Sequence, residues 1–306
     1  MTGSVGFVAS PGGHVDEAFE IAERFAPRAD RFWVTARTPQ TESLLAAETV
    51  VWVPEVKSRQ GLKAARSLAG AVRIMRQTRP RSVVSTGAAL TVPYMLAARA
   101  LRIPLTYVES ATRLTSPSQT GRIIERVPGT RLFHQGSDWG RGAWQQFGSV
   151  FDNFEAHPAE PRTVRRALVT LGSEKFPFPR ALRESRDALS AAEVAWQVGN
   201  TPAEDATLTG DVRQWWPGDE LAAAARSADV IITHAGVGSI LMALRAGVCP
   251  VVLARTARLG EHVDDHQVEL AARLDERGLV TFARPGDALA DHVQAAQARR
   301  IVRRPQ

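Results

Sequence analysis

Cysteine is all but missing from this chain: Cys249 stands alone, inside an apolar stretch that reads as a core strand. No disulfide framework is available, and a reducing cytoplasm is the expected compartment. Long apolar runs are missing too. None reaches the ~18 residues needed to span a bilayer, and the first residues lack the basic start and apolar centre of a signal peptide. Any membrane contact is therefore expected to be peripheral. Lysine is scarce, with only Lys57, Lys63 and Lys175, so arginine carries almost all of the basic side of a net charge of +6. That imbalance favours an anionic partner, which could be phosphate, nucleic acid or an acidic membrane surface. Nucleic acid fits least, because no helix-turn-helix, RNA-recognition or zinc pattern occurs and the densest basic stretch has no interleaved aromatics.

What is present is the composition of an ordinary globular protein, 44% apolar and 23% charged. A length of 306 residues suits two domains of about 150 each. Apolar strands are expected at Val5 to Ser10, Arg31 to Thr35, Val50 to Val53, Ser82 to Ser85 and Leu105 to Glu109. Helical stretches lie between them, the first amphipathic from Val15 to about Ala26. Such alternation predicts a parallel, doubly wound α/β sheet. Asp152 to Pro161, with two prolines and mixed charge, reads as a linker that divides the chain into domains at 1–155 and 162–306. The pattern then restarts with strands at Arg166 to Leu171, Val194 to Val198, Val230 to Thr233 and Pro250 to Ala254. Arg299 to Arg304 reads as a poorly ordered basic tail.

Ligands of open parallel sheets bind beyond the carboxyl ends of the strands. In the first half those ends carry Gly12-Gly13-His14, Ser85-Thr86-Gly87-Ala88 and Glu109-Ser110-Ala111-Thr112-Arg113. In the second half the strand ending at Thr233 runs into His234-Ala235-Gly236-Val237-Gly238-Ser239, a small-residue turn that opens a helix and suits a diphosphate. After the next strand come Glu261, His262, Asp264, Asp265, His266 and Gln267, polar groups able to hydrogen-bond sugar and ribose hydroxyls. The two junctions together point to a nucleotide-sugar site. A metal site at His262, Asp264 and His266 is the lower-ranked rival, since no further ligand cluster accompanies them.

From Lys57 to Arg81 the chain holds eight basic residues and no acidic one. Leu62, Ala65, Ala69, Val72 and Met75 recur at helical spacing, which predicts a helix with one apolar face. Two readings stand: a solvated basic face, or docking on an anionic membrane surface, where each basic residue near the headgroups is worth ~1 kcal/mol.

Taken together these motifs resemble GT-B glycosyltransferases of the family 28 type. They are most similar to bacterial polysaccharide enzymes related to the eukaryotic two-subunit transferase of UDP-N-acetylglucosamine in the lipid-linked N-glycan pathway. Residues 12–14, 85–88 with Pro93, and 109–113 resemble the acceptor-side, membrane-associated subunit. Leu171-Gly172-Ser173, residues 234–239 and residues 261–267 resemble the donor-side subunit, so the chain looks like both subunits fused. The resemblance implies two Rossmann-like domains facing across a cleft. It implies inverting transfer from a UDP-sugar to a polyprenyl-diphosphate-linked acceptor, on the cytoplasmic face of the plasma membrane. His14 is the first candidate base and Glu109 the second, with Gly12, Gly13, Ser85, Thr86, Gly87 and Arg113 on the acceptor side. Gly172, Ser173, His234, Gly236, Val237, Gly238, Ser239, Glu261, His262, Asp265, His266, Gln267 and Glu269 form the donor side. A more distant resemblance, to the peptidoglycan N-acetylglucosaminyltransferase family, places a ribose-binding Glu where this chain has Met242; Glu269 or Gln267 is then expected to hold the ribose. No Asp-x-Asp motif occurs, so no metal or other cofactor is expected. A nucleotide-sugar 2-epimerase and a non-catalytic membrane-docking partner of another transferase are the alternatives.

Overall fold

The computed structural model describes residues 2–55, 67–136, 139, 142–172, 176–190, 192–203, 207–262 and 265–305. Several expectations lie outside these residues: the first part of the basic stretch, from Lys57 to Arg66, together with Ser173 and Asp264. The chain forms two compact units, Met1–Val150 and Phe151–Gln306. Each is built on its own parallel sheet.

In the first unit the strands are β1 (Val5–Ala9), β2 (Arg31–Ala36), β3 (Val50–Val53), β4 (Ser82–Gly87), β5 (Leu105–Val108), β6 (Thr130–His134) and β7 (Trp144–Gln146). They pair in parallel in the order β3-β2-β1-β4-β5-β6-β7. The helices are α1 (Gly13–Phe25), α2 (Pro39–Leu44), α3 (Leu68–Thr78), α4 (Thr91–Ala100) and α5 (Gln119–Ile124). Strands β1 and β2 are buried along their whole length, as expected where helices cover both faces of a sheet. One face closes over Phe32, Val34, Met75, Met95, Leu105, Tyr107 and Leu132.

The second unit repeats the plan. Its strands are β8 (Phe154–Pro158), β9 (Arg166–Thr170), β10 (Glu193–Gln197), β11 (Asp211–Arg213), β12 (Val230–His234), β13 (Val251–Leu253), β14 (Thr281–Ala283) and β15 (Arg299–Arg303). Six of them form a parallel sheet in the order β11-β10-β9-β12-β13-β14. The helices are α6 (Pro179–Ala188), α7 (Gly218–Ser227), α8 (Val237–Arg245), α9 (His266–Glu276) and α10 (Leu289–Gln297). In each sheet the order reverses beside the unit's first parallel strand, between β1 and β4 and between β9 and β12. Those reversals are where ligands of doubly wound folds bind.

Three expectations are corrected here. Residues 154–158, read as linker, form β8. It pairs antiparallel with β15, so the supposed loose tail is a strand anchored from Arg299↔Pro158 to Arg303↔Phe154. Ile301 and Phe154 are the apolar anchors, at 5% and 1% exposure, and a count of prolines and charges outweighed them. The third correction concerns α3. Of the expected apolar face, Met75 and Val72 pack on the core of the first unit while Ala69 is exposed, as is Leu68 beside it, and Leu62 and Ala65 lie outside the described residues; the described part of that face is thus divided between core and surface. Among the described residues no helix is long and apolar enough to cross a membrane.

Candidate functional site

In the first unit the site is built where β1 and β4 diverge. Val8 pairs with Ser85 and Ala9 with Gly87, so Thr86 is an extra residue without a partner on β1. Such a bulge frees backbone groups and re-aims them. The Thr86 carbonyl accepts a hydrogen bond from His14 Nδ1 at 2.8 Å, and Thr86 Oγ1 donates to the His14 carbonyl at 2.6 Å. A carbonyl can only accept, so Nδ1 carries a proton, and in the neutral ring the lone pair is on Nε2. The ring needs room. Gly87 has φ +112, and a Cβ there would lie 2.8 Å from Tyr107 Oη and 3.4 Å from His14 Cε1. Ala88 follows at φ 68, an uncommon conformation for a side-chain-bearing residue. The half-buried His14 has its pKa pushed below 6.5 by burial; Glu109 pulls it up and Arg113 pushes it down.

Glu109 is fully buried. One oxygen accepts from Tyr107 Oη at 3.3 Å and from the Ser110 N–H at 3.1 Å. The other accepts from the Ser118 N–H at 2.9 Å and from Ser118 Oγ at 3.0 Å. Four donors hold this carboxylate in place, which suits a fixed negative charge better than a base that must reach a substrate. Ser85 and Thr86, placed on the acceptor side by resemblance, are also fully buried: Ser85 Oγ accepts from the Gly87 N–H at 3.1 Å. Their side chains build the turn, whereas the half-buried Gly12, Gly13 and Arg113 keep some exposure.

The sequence reading missed Glu17. It lies one turn after His14 on α1, 1% exposed, and accepts from Ser110 Oγ at 2.6 Å, the Ala111 N–H at 2.9 Å and Gln135 Nε2 at 2.7 Å. Gln135 also donates to the Glu109 carbonyl at 3.0 Å. The network ties α1 to the turn after β5. Burial raises the Glu17 pKa to about 7, against the opposing effect of these hydrogen bonds. The sequence held little signal for it: Glu17 lies at the edge of the stripe of Val15, Ala18, Ile21 and Ala22, and Asp16 and Glu20 are buried on α1 as well.

In the second unit the reversal lies between β9 and β12. Here His234 ends β12, 6% exposed, with its ring between two glycines. A Cβ on Gly172, at φ +67, would sit 2.1 Å from His234 Cε1, and one on Gly236 would sit 2.2 Å from His234 Nε2. Neither position admits a side chain. Helix α8 starts immediately after Gly236. Its first intrahelical bond runs from the Ile240 N–H to the Gly236 carbonyl at 3.0 Å, so the N–H groups of Val237, Gly238 and Ser239 precede the ladder and are available to an anion. Burial lowers the His234 pKa to about 3; Arg255 and His262 add to this, and the Thr170 carbonyl opposes it. The histidine is therefore neutral at any physiological pH.

The polar junction after β13 is organised differently from the expectation. Glu261 forms a two-point ion pair with Arg180, Nε to Oε1 and Nη2 to Oε2 both at 3.0 Å, and also accepts from the Thr256 N–H at 3.2 Å. It is consumed in holding the 256–261 loop against α6. Gln267 Oε1 accepts from the Arg255 N–H at 3.2 Å, and Asp265 Oδ1 from the Ala257 N–H at 2.9 Å. The His262 ring meets Phe176 edge-on at 5.4 Å, and His266 Nδ1 lies 3.7 Å from Glu269 Oε2. Met242 packs on the apolar cluster of Leu168, Leu221, Ala225 and Ile231. It is partly buried, and this packing takes up part of its side chain. Arg255, 1% exposed, is the second residue that the sequence reading missed. Among the described residues no group of three or more His, Cys, Asp or Glu could hold a metal ion.

Residues 166–300 match the glycosyltransferase family 28 C-terminal domain. The UDP-N-acetylglucosamine–N-acetylmuramyl-(pentapeptide) pyrophosphoryl-undecaprenol N-acetylglucosamine transferase of Ectopseudomonas mendocina is 30% identical, covering 91% of this chain and 84% of that protein. The UDP-N-acetylglucosamine transferase subunit ALG13 of Yarrowia lipolytica is 43% identical over 56 residues, 18% of this chain and 26% of that protein. Among solved structures, MurG of Acinetobacter baumannii is similar in fold, with a TM-score of 0.56 and 22% identity over 95% of this chain and 88% of that one.

Proposed function

The chain belongs to glycosyltransferase family 28, and from that premise we propose that it moves a sugar from a UDP-sugar to a lipid-diphosphate-linked saccharide with inversion at the anomeric carbon. The observation that carries the mechanism is the hydrogen bond from His14 Nδ1 to the Thr86 carbonyl. It selects, for the neutral ring, the tautomer with the lone pair on Nε2. In the reaction the acceptor hydroxyl oxygen attacks the anomeric carbon from the face opposite the diphosphate. Its proton passes to His14 Nε2, and the bond to the leaving phosphate oxygen breaks with its electron pair going to UDP. Glu109, held by four donors, stabilises the imidazolium that forms. The leaving diphosphate is met by the Val237–Ser239 N–H groups and the dipole of α8.

The donor reading gives the second unit UDP recognition through Gly172, Ser173, Gly236 and the start of α8, with His266, Gln267 and Glu269 near the ribose. No metal or other cofactor takes part in this reading. Peripheral docking on an anionic membrane surface completes it, bringing the enzyme to its lipid-linked acceptor on the cytoplasmic side. Its support is the exposed Arg73, Arg76 and Leu68 of α3, together with Leu96 and Ile123, which are 41% and 47% exposed on α4 and α5.

The test is incubation of pure protein with labelled UDP-sugar and polyprenyl-diphosphate-linked acceptor. Labelled lipid-linked product is the expected result. An isomerised nucleotide sugar would assign epimerisation instead, and no turnover of either kind would assign a docking partner.

A further inference from the structure

We propose that a cavity at the amino-terminal edge of the second sheet binds a phosphorylated polyol, with Arg162, Arg299 and Arg300 holding the phosphate and Glu160, Asp229 and Gln297 the hydroxyls. The site is independent of the donor reading. That reading uses the carboxyl ends of the strands, whereas this cavity lies at their other ends.

The two stretches whose sequence reads as linker and tail build it. Strands β8 and β15 pair from Arg299↔Pro158 to Arg303↔Phe154. The Ala159 N–H donates to the Ala298 carbonyl at 2.9 Å, and the Ile301 N–H donates to the Gly247 carbonyl at 3.0 Å. These bonds hold the start of the 158–162 segment beside the residues that lead into the sheet. Asp229 immediately precedes β12, and Val248 and Cys249 stand just before β13. The cavity enclosed there measures about 480 Å³, with apolar wall from Ala228, Val248 and Ala296. Small ligands occupy cavities of ~300–1,000 Å³.

Three guanidiniums and two carboxylates line the space. Arg299 is half-buried, and its partners are neutral. Nη1 donates to the Val280 carbonyl at 3.2 Å, and the side chain meets the Cys249 thiol, which burial pushes up to about 11 and so keeps protonated. Arg162 and Arg300 are exposed and pair with no carboxylate among the described residues. Asp229 is already engaged: its Oδ2 accepts from the Arg165 and Arg166 N–H groups, both at 2.9 Å. Backbone donors thus offset one of the two negative charges, and the cations prevail. A planar guanidinium presents paired donors that match phosphate oxygens, so three of them on one cavity favour a doubly charged group. The remaining acceptors call for hydroxyls on the same ligand. Gln297 Nε2 donates to the Asp229 carbonyl, which leaves its Oε1 as an acceptor, and Asp229 Oδ1 and the exposed Glu160 carboxylate are further acceptors on the lining.

A phosphorylated polyol has two sources, a soluble ester and the phosphoglycerol headgroup of a lipid, and separate arms tell them apart. Calorimetric titration of the full chain with glycerol 3-phosphate should show binding that glycerol lacks, that inorganic phosphate gives more weakly, and that saturating UDP does not displace. Arg162→Gln combined with Arg300→Gln, both at the surface, should weaken it about tenfold or more, the scale of lost charge-assisted hydrogen bonds, and leave UDP affinity unchanged. For the headgroup source, sedimentation should favour phosphatidylglycerol vesicles over phosphatidylserine vesicles of equal charge, and the same double variant should lose that preference. Dependence on Arg162 and Arg300 in either arm supports the site and names the source. Displacement by UDP would put the phosphate in the donor site and overturn the proposal. Wild-type binding by the double variant would overturn it too, as would no binding of glycerol 3-phosphate together with equal sedimentation of the two vesicles. Equal affinity for inorganic phosphate would overturn the polyol assignment.

Discussion

His14 and His234 stand at corresponding reversals in two parallel sheets, of seven and six strands, whose first six positions follow one order, each beside glycines that let another group come within van der Waals distance. Burial lowers both pKa values, but the surroundings differ. His14 lies near the buried carboxylate of Glu109, which pulls its pKa up more than Arg113 pushes it down; His234 lies near the guanidinium of Arg255, which adds to the lowering. A carboxylate offsets the cost of protonating an imidazole, whereas a guanidinium adds to it. On the proposed reading, the first unit's histidine is the one that takes a proton and the second unit's is the one that stays neutral. One architecture carries two chemistries because they are set by a few side chains around the reversal.

Matched glycine substitutions are the strongest way to break that comparison. Gly236→Ala would push a Cβ into His234 Nε2 at 2.2 Å, and Gly87→Ala into Tyr107 Oη at 2.8 Å with φ at +112. Overpacking of this kind costs about 1–3 kcal/mol. Gly236→Ala should lose UDP affinity measured by calorimetry, while Gly87→Ala should keep it and lose turnover. The same defect from both would mean that the two reversals do not divide the work.

Acid stability comes next in size. Folded His234 resists protonation down to about pH 3, while the unfolded chain takes the proton near 6.5. The unfolded state then binds more protons, so stability falls as pH drops from 6.5. Between pH 6.5 and 4.5 this costs about 2 kcal/mol. Glu17 acts in the opposite sense. Its folded pKa near 7, raised from 4.5, gives a contribution present below 4.5 and lost as pH rises through 7. Urea melts at the two ends of the window should show that His234→Asn flattens the acid loss and Glu17→Gln flattens the alkaline one. A single pH slope shared by both variants would contradict the assignment.

Gln267→Ala tests the donor side more gently. Its Oε1 is already engaged by the Arg255 N–H. Loss of the amide should weaken UDP by about 1 kcal/mol, the scale of one hydrogen bond. Wild-type affinity in a titration would take Gln267 out of the donor site.

Vesicle binding is the smallest expected effect. The exposed arginines of α3 act over a Debye length of ~10 Å at 0.1 M salt. Sedimentation with anionic vesicles should decline as salt rises. Equal binding to neutral vesicles would point to apolar insertion instead.

Much of the comparison was legible in the sequence because glycine, histidine and apolar runs carry local signals. Strand β1, the Gly12–His14 turn and the Gly236–Ser239 helix start follow from residues adjacent in the chain. Glu17 and Arg255 were not legible in the same way. Glu17 acquires its role from Ser110, Ala111 and Gln135, and Arg255 from Leu171 and Phe178, all brought close only by the fold. Glu261 misled for the converse reason. Its place in a polar run suggested ligand contact, but Arg180, far earlier in the chain, already occupies it. Short edge strands such as β7 and β11, three residues each, offered too little periodicity to read.

Division of labour between the two histidines is tested most directly by His14→Ala, with UDP affinity and turnover measured on the same preparation. Loss of a general base costs about 10² to 10⁴ in rate. The account predicts that kcat for lipid-linked product falls by that factor while UDP binds as in wild type. Wild-type turnover in folded His14→Ala, or a loss of UDP affinity matching the loss of rate, would contradict it.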